Sequence, residues 1–309
     1  MTARPTVYIP TLNAGDNLRT CLISLQAQTV PADVVVADNS GGDQCRKMLA
    51  EEFPSVQRVG FERNLGFGPA LNLAIKAIGS GPIILVNDDA VAGPGFVASL
   101  LEAAGSEAAM VAAVLVSDSD NSLIDSAGIE VDETAMGYDY LSGRPVEAAA
   151  LAPAPAAPTG GGALYDREAF NRVGGFDDRI FLYYEDLDLG LRLRAAGGRC
   201  VLAPEAILTH GYSQTLGARS PSKFRHTGWS RGYMMRTYGV NRQAGLMTRA
   251  VAVEVLVCLG QLVKSRTIQG AIGRLRGWHA GRTNERRTID PDSLVRLSFR
   301  EAVARRSSR

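Results

Sequence analysis

Histidine and cysteine are scarce in this sequence, and their scarcity excludes several kinds of site. The chain of 309 residues has three histidines and four cysteines. The cysteines are Cys21, Cys45, Cys200 and Cys258. They form no CxxC pair, so the spacing indicates neither a zinc site nor a disulfide framework, and a reducing cytoplasm fits best.

Long apolar runs are also scarce. The N-terminal residues lack the apolar run of a signal peptide. The longest apolar stretch, Ala250 to Val263, carries Glu254 and Gln261 inside it. We expect this stretch not to span a membrane, because it is too short and is interrupted by these polar residues.

Charge is balanced over the whole chain but not along it. The net charge of +1 gives no reason to expect nucleic-acid binding. From Arg219 to Arg309, however, the sequence is rich in Arg and Lys and poor in Asp and Glu. A basic tail on a nearly neutral protein indicates a membrane surface or another anionic partner.

The first ninety residues alternate between strand and helix patterns. The predicted strands are Thr6–Pro10, Val34–Ala37, Val56–Phe61 and Ile83–Val86, and the predicted helices are Leu18–Gln28, Asp43–Phe53 and Pro69–Ile78. This order predicts an α/β fold with a Rossmann-like, mostly parallel sheet and helices on both faces. Further on we predict helices at Phe96–Gly105, Arg167–Val173 and Glu185–Ala196, and strands at Met110–Val116 and Cys200–Leu202. Residues 117–150 are predicted to be irregular, with an extended stretch at Ile124–Val131.

Polar side chains follow the predicted strands. Asn13, Asp38, Asn64 and Asp89 each come just after one of them. In a parallel sheet the carboxyl ends of the strands share one edge, where ligands bind. We therefore expect these residues to lie along one site.

Asp89 is the candidate metal ligand. A carboxylate at the end of a buried strand can hold Mg²⁺ or Mn²⁺ while the ion bridges a diphosphate. His210 could supply a second ligand, although it could equally be an ordinary histidine at a strand end. Asp38 could accept a hydrogen bond from a base or a ribose, or it could cap a turn. The Asn64–Gly68 loop has glycines that permit close backbone approach to a ligand.

Asp186 is the candidate general base. It lies in Glu185-Asp186-Leu187-Asp188, and neighbouring carboxylates raise one another's pKa values. The dipole at a helix N-terminus favours the charged form instead, so the cluster could also be simple helix-start charge. The sequence does not decide between these effects.

Read in order, these segments resemble glycosyltransferase family 2, over roughly Pro5 to Tyr212. The matching segments are Pro10–Asn13, Val36–Ser40, Arg63–Gly68, Val86–Ala90, Gly161–Ala163, Gly174–Asp177, Tyr184–Asp188 and His210. The Asn-Leu-Gly-Phe loop and the Tyr-Glu-Asp-Leu-Asp helix are most similar to the rhamnosyltransferase-like branch. The resemblance implies the GT-A fold and an inverting, metal-dependent hexosyl transfer from a nucleoside-diphosphate sugar to an acceptor hydroxyl.

The resemblance also implies residue roles. The nucleotide would be bound by Thr11, Asn13, Asp38, Asn64, Gly66 and Asp88. Asp89 and His210 would hold Mn²⁺ or Mg²⁺, and Asp186 would deprotonate the acceptor. Gly161, Gly162, Tyr184 and Glu185 would lie on the acceptor side. The first expectation for the donor is dTDP-rhamnose, and a UDP-hexose or UDP-galactofuranose comes next.

One position departs from the family pattern, because Asn87 replaces the first acid of the Asp-x-Asp motif. It is the one feature that favours a non-catalytic nucleotide- or carbohydrate-binding scaffold as the alternative. A nucleotidyltransferase would need a basic loop near the N-terminus, and Thr11–Asp16 contains no Lys or Arg.

We expect a catalytic domain over 1–215, with a nucleotide-binding half at 1–92 and an acceptor-binding half at 93–215. Residues 216–309 would form a basic helical region. It would contact an anionic membrane, pack on the catalytic domain or form a homodimer. The resemblance implies an acceptor that is a cell-surface glycan or lipid-linked, and an enzyme that is cytoplasmic or peripheral on the inner face of the cell membrane.

Overall fold

The computed structural model describes residues 3–210 and 220–307, and these form two compact units. The first unit holds residues 3–129, 139–181 and 185–210, and the second holds 130–138, 182–184 and 220–307. This division differs from the expected one, because two short segments that precede the C-terminal region in the sequence belong to the second unit. They join it through contacts distant in sequence, which local patterns do not reveal.

The first unit contains most of the strands. They are β1 (Thr6–Thr11), β2 (Asp33–Asp38), β3 (Gln57–Gly60), β4 (Ile83–Val86), β5 (Ala90–Ala92), β6 (Ala108–Ser117), β7 (Ile124–Ser126), β10 (Gly162–Tyr165) and β11 (Arg199–His210). Between β7 and β10 come β8 (Ile129–Asp132) and β9 (Gly137–Asp139). The helices of this unit are α1 (Asp16–Gln26), α2 (Gln44–Glu52), α3 (Phe67–Ala77), α4 (Phe96–Ala104), α5 (Arg167–Arg172) and α6 (Glu185–Ala195).

The central sheet has the order β3-β2-β1-β4-β10-β6-β11-β5, with β7 on β6. The first four strands are parallel, which confirms the predicted β-α-β-α-β-α-β order. β10 then enters antiparallel between β4 and β6. β11 is much longer than the predicted Cys200–Leu202, because it resumes after an irregularity between Leu202 and Ile207.

Helices cover both faces of the sheet. Alternate residues of each buried strand enter two different cores, as the period of two requires. Val7 and Ile9 pack with α1, α2 and α4, whereas Tyr8 packs with α3, α5 and α6. The sheet edge that carries the strand ends is thereby fixed by packing on both sides.

The region predicted to be mostly irregular contains three short strands. The stretch Ile124–Val131, predicted to be extended, holds β7 and most of β8, and a 3₁₀ helix covers Val146–Leu151. β9 was not predicted, because a strand of three residues is too short to produce a periodic signal.

The second unit is mainly helical. Its helices are α7 (Pro221–Thr237), α8 (Ala244–Ser265), α9 (Gln269–Ala280) and α10 (Phe299–Ser307), and a short strand β12 (Leu294–Val295) pairs with β8. α7 and α9 approach until their backbones touch. A Cβ at Gly277 would lie 1.8 Å from the carbonyl oxygen of Trp229, so the crossing requires glycine.

α8 corrects one expectation. The helix has 22 residues and is long and apolar enough to cross a membrane by length and composition, a test that a core helix of a soluble protein can also pass. The apolar run used for the prediction starts at Ala250, whereas the helix already begins six residues earlier at Ala244. The helix is therefore longer than the run that predicted it. Within its most apolar window, 17% of the helix is buried.

Candidate active site

The carboxyl ends of β1 and β4 meet through a side-chain hydrogen bond. The hydroxyl of Thr11 lies 2.5 Å from Oδ2 of Asp88 and accepts the backbone N–H of Asn13 at 3.1 Å. Thr11 is buried and Asn13 is exposed. Three of the predicted nucleotide-binding residues therefore lie together at one edge of the sheet.

Asp38 also ends a strand, but it is fully buried. Arg58 on β3 donates to its Oδ2 at 2.8 Å, and the N–H of Ser40 donates to Oδ1 at 2.9 Å. Sequence reasoning missed Arg58, which lies twenty residues away on the neighbouring strand. Both carboxylate oxygens thus have partners inside the protein, and a contact from Asp38 to a base remains a prediction.

The Asn64–Gly68 loop is held by Asn39, which sequence reasoning also missed. The Asn39 amide donates to the carbonyl of Gly66 at 2.9 Å and accepts the N–H of Leu65 at 3.1 Å. Asn64 accepts the N–H of Gly66 at 2.9 Å and closes a tight turn. Gly66 has φ +96°, and a Cβ there would lie 2.5 Å from the carbonyl oxygen of Phe181. The glycine is therefore required by protein packing, whatever binds nearby.

The acidic turn Asn87-Asp88-Asp89 follows β4 directly. Asp88 and Asp89 are both half-buried, and Oδ1 of Asp89 is a buried atom. β5 pairs with β11 so that the backbone of His210 lies opposite Ala90. The side chain of His210 lies outside the described residues, so its predicted part in a metal site stays a prediction.

This donor set fits a divalent cation that arrives with a diphosphate. No cluster of three or more His, Cys, Asp or Glu side chains suited to a metal occurs in the described part of the chain. Mg²⁺ and its relatives are commonly held by one or two carboxylates together with substrate phosphates, rather than by a complete protein cage. Asp88 and Asp89 supply two adjacent carboxylates of this kind.

A glycine segment connects the acidic turn to Asp186. The N–H of Asn87 donates to the carbonyl of Gly161 at 3.3 Å, and the N–H of Gly160 donates to Oδ2 of Asp186 at 2.9 Å. A Cβ at Gly161 would lie 3.2 Å from the Asn87 amide, and one at Gly162 would lie 2.6 Å from Leu208. The acidic turn after β4 and Asp186, nearly a hundred residues apart in sequence, are thus hydrogen-bonded to two consecutive glycines.

Burial is the main influence on the carboxyl pKa values at the start of α6. Glu185 is buried, and burial together with the neighbouring Asp186 charge raises its pKa well above the usual range. Burial also raises the pKa of Asp186, while the N–H groups of Gly160 and Leu187 act to lower it. Adjacent carboxylates in different environments can divide the roles of acid and base. Both pKa values are therefore raised, which is the direction that suits carboxyl groups exchanging protons near neutral pH.

The backbone just before α6 adopts an uncommon conformation. Tyr183 has φ +68° and Tyr184 has φ +70°, which is the left-handed region that bulky side chains avoid. Such conformations cost roughly 1–3 kcal/mol each and persist only where the surroundings impose them. Tyr184, predicted on the acceptor side, belongs to the second unit, where its hydroxyl donates to Sδ of Met136 at 2.9 Å.

Comparison with known proteins gives matches over most of the chain. A family profile described as "Glycosyltransferase like family 2" matches residues 3–229. The N-acetylglucosaminyl-diphospho-decaprenol L-rhamnosyltransferase of Mycobacterium tuberculosis is 30% identical over 264 residues, which is 73% of this chain and 86% of that protein. The same protein from a second strain matches equally.

Solved structures match over a similar extent. A mannosyltransferase from Pyrobaculum calidifontis in complex with GDP-Man and Mn²⁺ has a TM-score of 0.57 at 15% identity, and the match covers 99% of this chain and 85% of that one. GalNAc-T7 with UDP, GalNAc and Mn²⁺ has a TM-score of 0.60 at 15% identity, covering 92% of this chain and 55% of that one. These likenesses show the fold.

Proposed function

Because the chain belongs to glycosyltransferase family 2 and has the GT-A fold, we propose that it moves a sugar from a nucleoside diphosphate to a hydroxyl of a lipid-linked acceptor. The transfer is metal-dependent and inverts the anomeric carbon. The observation that carries this proposal is the glycine segment Gly160–Gly162, which holds the acidic turn and Asp186 side by side.

The residues divide the work of a single displacement. Asp186 takes the proton from the acceptor hydroxyl as its oxygen bonds to the anomeric carbon. The bond from that carbon to the β-phosphate oxygen breaks, and the nucleoside diphosphate leaves with the electron pair. Mn²⁺ or Mg²⁺ on Asp89 and Asp88 would neutralise the charge that develops on the departing diphosphate. Thr11 orients Asp88 for this contact.

The mycobacterial relative supports a finer proposal for the substrates. We assign L-rhamnose as the transferred sugar and a sugar on a polyprenyl diphosphate as the acceptor. The motif resemblance adds dTDP-rhamnose as the donor. The product would serve the assembly of a cell-wall polysaccharide. The enzyme would work in the cytoplasm, peripheral on the inner face of the cell membrane.

The test is sugar transfer by wild type and by Asp186→Asn, with dTDP-rhamnose and polyprenyl-diphosphate N-acetylglucosamine as substrates. The variant should lose roughly 10²–10⁴-fold in kcat, the range of general-base catalysis. It should keep the metal-dependent rise in melting temperature that dTDP causes. Asp43→Asn, an exposed acid paired with Arg46, is the matched control and should transfer at the wild-type rate. Full turnover by Asp186→Asn would remove the base assignment.

A further inference from the structure

The second unit contains a cavity of about 560 Å³ that the proposed reaction does not use. Its wall includes three arginines, Arg249, Arg286 and Arg287, against one acid, Glu133. Cavities of this size hold small ligands or head groups. The wall therefore favours an anionic group.

Arg249, which lines the cavity, has one N–H group without an acceptor among the described residues. Its Nε is buried, and no residue in the described ranges hydrogen-bonds to it. One terminal nitrogen of the guanidinium lies 3.9 Å from Glu133, and the other donates to the carbonyl of Leu297. A buried arginine N–H without an acceptor is costly, and an anion that draws the guanidinium toward the cavity would relieve that cost.

Arg286 adds a second available cation. It is exposed and forms no ion pair within the described part of the chain. Its guanidinium lies over Gly239, where a Cβ would come within 2.6 Å of Nε. Gly239 has φ +70° and no Cβ, and the missing Cβ leaves room for the Arg286 guanidinium.

The same helix that supplies Arg249 presents an apolar face to its surroundings. Val251, Val255, Leu259 and Leu262 recur at helical spacing and are 42–51% exposed. Leu256 and Val263 lie beside them at 46% and 78%. Contiguous exposed apolar surface of this kind marks an interaction site. Leu246, near the start of α8, lines the cavity together with Arg249.

We propose that this cavity binds the phosphate group of a membrane lipid while the exposed face of α8 lies among lipid chains. The charge of the region agrees with this occupant, because residues 219–309 contain 19 Arg and Lys against five Asp and Glu. Arginines bind phosphate through paired, charge-assisted hydrogen bonds. An amphipathic helix flanked by basic residues is the usual element that lies in a leaflet.

Glu254 explains why α8 lies on a leaflet rather than across it. This carboxylate lies on the buried side of the helix. It accepts hydrogen bonds from Nε of Arg231 at 2.7 Å and Nε of Arg274 at 2.6 Å, and a further one from Arg306. Its pKa is well below the usual value, since the three arginines outweigh the effect of burial. The ion cluster holds one side of α8 against its own unit, which leaves the opposite side for lipid.

The test is co-sedimentation of the full chain with vesicles at low ionic strength. Three vesicle types distinguish the sources of phosphate: phosphatidylcholine alone, phosphatidylcholine with phosphatidylglycerol, and phosphatidylcholine with undecaprenyl diphosphate. We expect Arg286→Gln/Arg287→Gln to weaken binding at least about tenfold more than the control pair, because specific contacts add to bulk attraction. The control pair is Arg296→Gln/Arg300→Gln, which removes the same charge from exposed positions outside the cavity.

The apolar face has its own matched pair. Val255→Ser/Leu259→Ser should abolish vesicle binding, whereas Ile23→Ser/Leu73→Ser, at equally exposed apolar positions of the first unit, should leave it unchanged. Equal losses for the two arginine pairs would overturn the cavity site. A serine variant that alters the oligomeric state but not vesicle binding would make the face an interface between copies and would also overturn the proposal. The inference rests on the proposed membrane location alone, and since lipid binding is read without sugar transfer, the two proposals can fail separately.

Discussion

Replacing Glu185 with glutamine should stabilise the protein in a pH-dependent way. Glu185 is 5% exposed, and its Oε2 accepts no hydrogen bond from the described residues. Burial, with the charge of Asp186, raises its pKa well above the usual value. Glutamine keeps the shape of the protonated acid and cannot ionise, so Glu185→Gln isolates the contribution of this proton to stability.

The sign follows from the linkage between protonation and folding. An unfolded glutamate titrates near pH 4.3, and below that pH both states carry the proton. As the pH rises toward the folded-state pKa of Glu185, the unfolded chain releases its proton while the folded protein keeps it. The free energy of unfolding then falls by up to about 1.4 kcal/mol per pH unit in the wild type. The variant lacks this term.

Urea unfolding from pH 4 to pH 8 measures the difference directly. The two proteins should be equally stable near pH 4, and Glu185→Gln should become progressively more stable as the pH rises. Each kcal/mol corresponds to about 2–4 °C in melting temperature for a unit of this size. Profiles that stay parallel between pH 5 and pH 8 would refute the reasoning, because they would mean that Glu185 titrates normally in the folded state.

Glu52 provides a control of opposite sign. It is an exposed acid whose Oε2 accepts a hydrogen bond from Nε of Arg19 at 2.8 Å, and this hydrogen bond lowers the pKa of Glu52. Its contribution to stability is present above the unfolded pKa and is lost as the pH falls through the folded one. Glu52→Gln should therefore be slightly less stable than the wild type at neutral pH and equal to it in acid.

Four further substitutions test the packing and the metal site. Gly66→Ala should destabilise the protein by about 1–3 kcal/mol in urea unfolding, because φ +96° and the carbonyl of Phe181 both exclude a Cβ. Gly277→Ala should destabilise the second unit by a similar amount, while Gly260→Ala, in an open helical position, should gain up to about 1 kcal/mol. Asp89→Asn should keep its fold by circular dichroism but lose the Mn²⁺-dependent part of the melting-temperature rise caused by dTDP.

The first four strands and three helices could be predicted because each feature has a local cause. A strand buried on both faces is a continuous apolar run, as in Val34–Ala37, and the chain then needs a polar or glycine loop before the next helix. The four strands lie within two residues of their predicted bounds. The clustering of Thr11, Asn13 and Asp88 follows from the same rule, since the ends of parallel strands share an edge.

The remaining part of the site depends on pairings that no local pattern specifies. The link from Asn87 to Asp186 exists because β10 enters antiparallel beside β4 and brings three glycines to its end. The ion pair of Asp38 depends on the register between β2 and β3. For the paired acids at the start of α6, the sequence supports both a raised and a lowered pKa, and the structure shows that burial raises the pKa values of Glu185 and Asp186.

α8 shows how a hydropathy pattern and a single charge combine. The apolar residues alone would suit a helix that crosses a bilayer, yet Glu254 interrupts them on one side. A charge at the centre of a bilayer costs at least about 2.5–3.5 kcal/mol, and leaving a buried ion cluster without one partner costs about 3–5 kcal/mol. Crossing would require α8 either to carry Arg231, Arg274 and Arg306 into the membrane or to abandon them. Both costs disappear if the helix keeps its charged side on the protein, so the exposed apolar side is the one available to lipid.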